Sequence, residues 1–253
     1  MIAITRAPSP AIVNCELTYV EREVINYHRA LEQHAEYRRV LADCGAAVSQ
    51  LSAGKNMPDS VFVEDTALVL DEIAVLASMG AASRREEPVA IEEELRKYRE
   101  VIPIRLPALL DGGDVVVTGR SVLVGLSSRT DGAGATAISD VVSRYGYQVR
   151  AVRVTGCLHL KSACTALPDG SLLVNPAWLS PADIEGFSAV EIEPDEPFAA
   201  DVALAGEHVI AGASFPRTNA KLEKLGFSVR CVDLSEFAKA EGGVTCLSLI
   251  FTP

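Results

Sequence analysis

The chain alternates short apolar stretches with tight polar turns and longer amphipathic stretches, in an order that recurs. Between residues 61 and 78, two apolar stretches flank an acidic turn at Asp71 and Glu72. A charged stretch at 88–100 and another apolar run at 101–106 follow it. Short apolar runs joined by a turn are typical of paired strands, and the charged stretch is typical of a helix. The pattern predicts a unit of strand, strand, helix and strand.

The same order returns three more times along the chain. The second copy turns at Gly119, the third opens with a strand through His159, and the fourth turns at Gly206. We predict the remaining elements of these copies as strands at 115–117, 122–124, 148–154, 189–192, 202–205, 208–211 and 228–232, with helices at 135–145, after Pro181 and at 218–225.

The opening segment gives an incomplete unit, with a strand at 1–5, a long helix at 21–44 and a strand at 47–51. Its missing strand is predicted at 244–251, so that the C-terminus pairs with the N-terminus. A doubly wound sheet would alternate single strands with helices and would not pair strands inside each unit. The paired strands therefore favour a repeat architecture.

The units recur with a nearly constant period. Glu64, Asp114, His159, Asp201 and Cys246 mark similar positions in them and lie about 50, 45, 42 and 45 residues apart. A period of this length is typical of a radial or stacked array. We therefore predict an α/β fold of five units closed into a ring, forming one domain over residues 1–253. In such a ring, equivalent positions converge on one central site.

Composition and charge argue against two classes of binding partner, nucleic acids and membranes. Of the 253 residues, 49% are hydrophobic and 23% are charged, as in an ordinary globular protein. The 23 Lys and Arg against 34 Asp and Glu give a net charge of −11 without any basic run, so no nucleic acid is expected as a partner. No apolar run approaches the roughly 20 residues of a membrane-spanning helix, so no membrane association is expected.

The number and spacing of the cysteines indicate the cellular compartment of the protein. Six cysteines are spread along the chain without a CxxC pair, and the first residues lack the long apolar core of a secretory signal. These features are typical of free thiols in a reducing environment. We expect a cytoplasmic protein.

The predicted central site collects residues of complementary chemistry. A thiolate nucleophile, an imidazole that transfers protons and a carboxylate that orients the imidazole form a recurrent set for covalent catalysis. Further carboxylates would suit a cationic ligand. The residues near the predicted first strands are Cys246, His159, Asp59, Glu64, Asp65, Asp111 and Asp114.

Structural interpretations of these residues stay open. An isolated cysteine is usually a small buried hydrophobe, and His159 lies between two leucines, which is consistent with a packed strand position. Cys246 follows Gly242 and Gly243, which permit close backbone approach and favour a pocket rim. Cys157, His159 and Cys164 match no familiar zinc spacing and lack a fourth ligand, so no metal site is predicted.

Six spaced motifs resemble one family. They read PDSVFVED at 58–65, SRR at 83–85, LDGGDV at 110–115, GLSSRT at 125–130, LHLKS at 158–162 and TC at 245–246. In order and over nearly the whole chain, they are similar to the dimethylarginine dimethylaminohydrolases, which belong to the guanidine-modifying pentein superfamily. The resemblance implies a fivefold α/β propeller, in agreement with the repeat count.

The resemblance also implies an activity and roles for single residues. The activity is hydrolysis of Nω-methylated arginines to citrulline and dimethylamine or methylamine through a covalent thiouronium, without cofactor or metal. Cys246 would be the nucleophile, His159 the general acid and then base, and Asp111 the carboxylate that orients His159. The substrate contacts would be Glu64 and Asp65 for the guanidinium, Asp59 with the backbone of Leu17 and Ala240 for the α-ammonium, Arg84 and Arg129 for the α-carboxylate, and Ser162 in the site lining.

Two alternative functions remain. An arginine deiminase or an amidinotransferase would share the thiol, imidazole and carboxylates and differ in substrate. A propeller that binds a cationic amino acid without catalysis would leave Cys246 and His159 as packed residues. In each case the partner is a small molecule, and a homodimer is left open.

Overall fold

A computed structural model describes the whole chain, from Met1 to Pro253. It contains fifteen strands, which are β1 Ile2–Arg6, β2 Ala47–Leu51, β3 Ala67–Val69, β4 Ile73–Leu76, β5 Glu100–Pro103, β6 Val115–Thr118, β7 Ser121–Leu126, β8 Gln148–Arg153, β9 Cys164–Ala166, β10 Leu172–Val174, β11 Ala189–Glu191, β12 Val202–Ala205, β13 His208–Gly212, β14 Ser228–Val232 and β15 Leu249–Phe251.

Six α-helices and seven 3-10 helices connect the strands. The α-helices are α1 Tyr27–Asp43, α2 Pro88–Leu95, α3 Gly132–Val142, α4 Leu160–Ala163, α5 Pro216–Lys224 and α6 Ser235–Ala238. The 3-10 helices are Pro10–Asn14, Val63–Thr66, Ala82–Arg84, Gly112–Asp114, Ser143–Tyr145, Pro181–Ile184 and Thr245–Leu247. None of these helices combines the length and the apolar character that spanning a bilayer requires.

The strands form five three-stranded sheets with one topology. Unit 1 is β15-β1-β2, and units 2 to 5 are β3-β4-β5, β6-β7-β8, β9-β10-β11 and β12-β13-β14. In every unit the first strand pairs antiparallel with the second, and the second pairs parallel with the third. The parallel pair requires a crossover connection. The predicted strand, strand, helix and strand repeat is therefore confirmed.

The chain termini complete unit 1, as the sequence predicts. Ile2 pairs with Phe251 and Ile4 with Leu249 in the antiparallel ladder between β1 and β15. The C-terminal strand thus supplies the first strand that the N-terminal segment lacks.

The apolar core is divided into five clusters that link neighbouring units. One cluster joins Ile4 of unit 1 to Leu76 of unit 2, and another joins Ala3 and Tyr37 of unit 1 to Ile210 of unit 5. The three others join units 2 and 3, units 3 and 4, and units 4 and 5. Each unit packs against two others, and the fifth packs against the first.

The first strands of all five units surround a common cavity. Its volume is about 220 Å³, and residues such as Val116, Ala203 and Ile250 line it. Residues that precede the first strands are consequently brought close together, although they are far apart in sequence.

Several predicted element types or bounds are wrong. At these places a hydrogen bond between a buried side chain and the backbone sets the local conformation. His159 lies before helix α4 and not on a strand, because Asp114 accepts the N–H of Leu160 at 2.9 Å and caps the helix. Cys246 lies in a 3-10 helix, because Asp201 accepts the N–H of Thr245 at 2.9 Å.

Further bounds differ from prediction; the helices predicted at 135–145 and 218–225, for example, are found at Gly132–Val142 and Pro216–Lys224. The segment predicted as a strand from residue 61 begins with the 3-10 helix Val63–Thr66, in which the Thr66 hydroxyl donates to the Val63 carbonyl at 2.6 Å. The helix predicted at 21–44 begins only at Tyr27, where the Asn26 side chain accepts the N–H of Arg29. Residues 15–26 form an irregular segment, which we call the lid segment.

Candidate active site

Short turns before the first strands carry the polar residues of the site. Hydrogen bonds to a neighbouring unit hold each turn in place. They thereby fix the orientation of the side chains on that turn. The turns place Cys246 before β15, Glu64 and Asp65 before β3, Asp111 and Asp114 before β6, His159 before β9 and Asp201 before β12.

His159 is a buried imidazole between two carboxylates. Its Nε2 lies 3.3 Å from Asp111 Oδ2, and its Nδ1 lies 3.5 Å from Asp65 Oδ1. Burial lowers the pKa of His159, but Asp65, Asp114 and Asp111 outweigh this effect and raise the pKa to about 9. The ring is therefore an imidazolium at neutral pH, ready to donate a proton.

Asp111 and Asp114 support the imidazole from behind. Asp111 is fully buried, and its Oδ1 accepts the Gly80 N–H at 2.8 Å while its Oδ2 faces His159. Asp114 accepts the Leu160 N–H at 2.9 Å and the Ser127 hydroxyl at 2.6 Å. The two carboxylates thus hold the ring and the turn that carries it.

Cys246 presents a half-buried thiol. Its Sγ accepts the Gly243 N–H at 3.3 Å and lies 4.0 Å from the Thr245 hydroxyl. Burial raises the pKa of the thiol well above its ordinary value, and Asp201, Asp65 and Glu64 raise it further. The ligand-free site therefore holds a thiol and not a thiolate at neutral pH.

Cys246 and His159 line one cavity of about 20 Å³. No hydrogen bond joins the two side chains, so a reacting group would lie between them. The cavity is lined by Glu16, Asp59, Phe62, Asp65, Arg84, Arg129, Leu158, His159, Ala240, Glu241, Gly242 and Cys246.

The two arginines of this lining have different surroundings. The buried Arg84 donates to Asp65 Oδ2 at 2.7 Å, to Glu87 at 2.8 and 3.0 Å, and to the Phe62 carbonyl at 3.2 Å. Arg129 is buried as well, but its Nη1 has no hydrogen-bond partner. Because a buried unpaired donor is costly, Arg129 is the cation that remains available to an anionic ligand.

Asp59 and Asp65 are the two aspartates of the lining. Asp59 accepts the Glu16 N–H at 3.2 and 3.3 Å, and burial raises its pKa. Asp65 Oδ1 has no hydrogen-bond partner. Asp65 therefore offers a free acceptor beside the imidazole.

Five residues of the sequence-derived set lie outside this cavity; one of them, Asp114, supports the turn of His159 from behind. Glu64 faces the cavity of about 220 Å³ along the first strands and accepts Lys161 Nζ at 2.6 Å. Ser162 lines a separate cavity of about 240 Å³, and Leu17 packs half-buried on the apolar cluster of α1. Asp111 lies behind His159, as its expected orienting role requires.

Four other residues of the lining carry no sequence signal of their own. Phe62 and Leu158 supply apolar walls, and both lie inside the family motifs, next to charged or titratable residues. Glu16 and Glu241 carry no such signal, because single glutamates are common in an acidic chain. Only the fold brings them to the cavity.

One group of donors is close enough to be considered for a metal ion. Ligand atoms of Asp65, Asp111 and His159 lie within 4.8 Å of one another. Arg84 already pairs with Asp65 at 2.7 Å, and the two carboxylates raise the pKa of the imidazole. The two carboxylates therefore already face the positive charges of Arg84 and of the protonated His159. The group is better suited to an imidazolium than to a metal cation.

Five repeated sheets, with a thiol, an imidazole and carboxylates converging before their first strands, define the chain as a protein of the pentein superfamily. No family model matches it. N(G),N(G)-dimethylarginine dimethylaminohydrolase of Streptomyces coelicolor is 39% identical over 249 residues, covering 98% of this chain and 95% of that protein. The Pseudomonas aeruginosa protein of that name is 35% identical and covers 98% of both chains.

A solved structure agrees with these relatives. A mutant of the Pseudomonas aeruginosa enzyme, complexed with citrulline, has a TM-score of 0.94 to this chain, with 35% identity and 98% of both chains covered. The chain belongs to the dimethylarginine dimethylaminohydrolase family.

Proposed function

We propose that the protein hydrolyses Nω-methylated arginines to citrulline and dimethylamine or methylamine. The observation that carries the proposal is one cavity lined by the thiol of Cys246, the imidazole of His159, the carboxylate of Asp65 and the unpaired guanidinium of Arg129. The first two groups have the chemistry to open a guanidinium carbon, and the last two match the two charged ends of an arginine derivative.

The substrate is held at both ends. The free Oδ1 of Asp65 accepts guanidinium N–H groups, and Arg129 Nη1 binds the α-carboxylate. Asp59, with the carbonyl of Ala240, binds the α-ammonium. Fixing both ends places the guanidinium carbon between Cys246 and His159, and such positioning supplies much of the rate acceleration.

Arg84 and Glu64 act on the substrate indirectly in this proposal. Arg84 uses its donors on Asp65, Glu87 and backbone carbonyls, so it orients Asp65 and does not bind the α-carboxylate. Glu64 is paired with Lys161 and contributes negative charge near the guanidinium.

The cationic substrate helps to form its own nucleophile. A guanidinium beside Cys246 offsets the carboxylates that raise the pKa of the thiol, so binding lowers this pKa and the thiol proton leaves to solvent. The thiolate then attacks the guanidinium carbon, and a C–S bond forms.

His159 completes the first half-reaction. Because Asp111 engages Nε2, we assign the proton transfer to Nδ1. The imidazolium gives its proton to the dimethylamino nitrogen, the C–N bond breaks, and dimethylamine leaves. A thiouronium remains bound to Cys246, and His159 is neutral.

Water completes the reaction. It attacks the thiouronium carbon as His159 takes one of its protons. The C–S bond breaks with its electron pair returning to sulfur, and the product carbonyl forms as the second proton leaves to solvent. The released amine takes up one proton from solvent and the Cys246 thiolate takes up another, so the thiol is regenerated and atoms and charge balance.

The apolar walls favour a methylated substrate over arginine. Phe62 and Leu158 line the cavity beside Asp65 and His159, and N-methyl groups would bury apolar surface against them. An arginine deiminase would need polar contacts at the same place for an unsubstituted guanidinium.

A product assay tests the proposal. Asymmetric dimethylarginine should yield citrulline and dimethylamine, with arginine a poorer substrate; release of ammonia from arginine at a higher kcat/KM would contradict the assignment. Cys246→Ser should abolish turnover, whereas Cys231→Ser, which changes an exposed thiol, serves as the matched control. Arg129→Gln should raise KM with a smaller change in kcat.

We also propose that the five units form one α/β propeller domain over residues 1–253, because each unit packs on two neighbours in a cycle. All six cysteines are free, and we place the enzyme in the cytoplasm, where thiols stay reduced. Cell fractionation tests this location.

A further inference from the structure

The candidate active site is closed over by the lid segment. The cavity measures about 20 Å³, which is room for roughly one water molecule. Glu16 of the lid segment contributes to its lining. An amino acid can enter only if the lid segment moves away, so the contacts that hold this segment bear on substrate capture.

Glu241 makes a concentrated set of contacts to the lid segment. Its carboxylate accepts three successive backbone N–H groups, from Thr18 at 2.9 Å, from Tyr19, and from Val20 at 2.9 Å. Successive N–H groups that converge on one anion form a concave anion-binding nest. Hydrogen bonds to a charged acceptor are stronger than those between neutral groups.

The backbone at Glu241 is itself unusual. Its φ is 58°, in the left-handed region that few residues other than glycine adopt. A glycine would relieve this conformation but would lack the carboxylate. A glutamate at this position is therefore consistent with a role for its side chain.

Glu241 also lies on the segment that leads to the nucleophile. Ala240 and Gly242, on either side of it, line the cavity, and the Gly243 N–H donates to Cys246 Sγ at 3.3 Å. One short segment thus contacts the lid and positions the thiol.

The lid segment makes further contacts, such as those of Ser83 with the Glu16 side chain and of Lys239 with the Val24 carbonyl. The contact at the Glu16 N–H is different in kind. Asp59 accepts the Glu16 N–H, but Asp59 is also the proposed partner of the substrate α-ammonium, so a bound substrate competes for it. Glu241 binds only lid N–H groups and can keep the lid segment closed while the substrate is in place.

We infer that Glu241 is a positioning residue that latches the lid segment over the bound substrate. The inference rests on the proposed function for its kinetic consequence, but closure of the lid segment can be measured without substrate. Glu241→Gln keeps the size of the side chain and removes the charge, and its amide nitrogen would face backbone donors.

The first test is amide hydrogen exchange in the ligand-free protein. Exchange at Thr18, Tyr19 and Val20 should be about tenfold faster or more in Glu241→Gln than in the wild type, and trypsin should cleave faster after Arg22. Glu207→Gln, in an exposed turn between β12 and β13, is the matched control and should change neither. Unchanged exchange at residues 18–20 in Glu241→Gln would overturn the inference.

The second test is steady-state kinetics with asymmetric dimethylarginine. In Glu241→Gln, kcat/KM should fall about tenfold, mainly through KM, with Glu241→Asp recovering part of the loss. If Glu241→Gln fails to fold, Glu241→Asn replaces it, because asparagine tolerates the left-handed region. Unchanged KM in a folded variant would also count against the latch. A wild type without turnover would refute the proposed function alone, and the exchange result would still decide on the latch.

Discussion

Asp201 accepts the backbone N–H of Thr245 at 2.9 Å, one residue before the thiol of Cys246. Its second oxygen lies 3.3 Å from the Thr245 hydroxyl. A buried carboxylate from unit 5 thereby fixes the turn that presents the nucleophile. Its negative charge also opposes ionisation of the thiol, after the effect of burial. Asp201 thus has a structural and an electrostatic effect that can be separated experimentally.

Asp201→Asn should lower the pKa of Cys246. Asparagine can still accept the Thr245 N–H, but it carries no charge, so the thiolate becomes easier to form. Burial raises the pKa of Asp201 to about 7, so the effect should grow as pH rises above neutrality. The measurement is the ultraviolet absorbance of the thiolate against pH, after subtraction of the Cys246→Ser spectrum.

The wild type and a control variant calibrate this experiment. In the wild type the Cys246 thiolate should form only well above pH 9.0. Asp140→Asn, at an exposed position of α3, should titrate like the wild type. An ionisation midpoint in Asp201→Asn that equals the wild-type value would show that the Asp201 charge does not reach the sulfur.

Asp111→Asn should lower the pKa of His159 and reduce turnover by about 100- to 10,000-fold. In the wild type the carboxylates raise the pKa of His159 to about 9, and losing one of them disfavours the imidazolium. Because the folded-state pKa lies above the ordinary value of 6.5, this ionisation stabilises the fold below pH 6.5, and the stabilisation is lost as pH rises through about 9.

Histidine NMR titration measures this pKa directly, and urea unfolding at several pH values measures the linked stability. The stability difference between wild type and Asp111→Asn should be larger at pH 6 than at pH 10. A His159 titration that is the same in both proteins would refute the assigned pairing with Asp111.

Arg84→Met should destabilise the fold by about 3–5 kcal/mol, because it leaves buried carboxylates without their counter-charge. Asp65 and Glu87 are each 2% exposed and pair with Arg84 at 2.7 and 2.8 Å. Without Arg84 both carboxyls would bind protons more tightly in the folded state, so the loss should grow as pH rises. Urea unfolding measures it.

The neighbouring Arg85 provides a matched control, since it is exposed and Arg85→Met removes the same charge. It should change stability little. If Arg84→Met unfolds at the same urea concentration as Arg85→Met and only KM is higher, then Arg84 binds the substrate directly, as the family resemblance implies, and does not merely support Asp65.

The sequence was sufficient for the repeat but not for the turns that carry the chemistry. Strands β12 and β14 are found at the predicted bounds, because apolar alternation and glycine turns are local signals. The pattern predicts strands at His159 and Cys246, but His159 immediately precedes helix α4 and Cys246 lies in a 3-10 helix. Asp114 and Asp201 accept backbone N–H groups next to these two residues. Because both aspartates are more than 40 positions away in sequence, no local pattern reveals the contact.

Long-range contacts also limit how much of the candidate site can be predicted from the sequence. Charged residues in motifs could be selected by type, but type does not tell which partner each one meets. Arg84 and Arg129 are equivalent as residues, yet Arg84 is saturated by Asp65 and Glu87 while Arg129 Nη1 is unpaired. No local pattern marks Glu241, because its three backbone donors come from the lid segment, more than 200 positions away.

Gly113→Ala should abolish turnover without unfolding the protein. A β-carbon at Gly113 would lie 2.7 Å from His159 Nδ1 and 2.5 Å from Asp65 Oδ1, so the imidazole or the carboxylate must move. Displacements of this size are enough to lose positioning in catalysis. Gly132→Ala is the control, because a β-carbon there meets nothing within 4 Å. Full kcat in Gly113→Ala, with thermal unfolding unchanged, would show that the observed placement of His159 beside Asp65 is not the catalytic one.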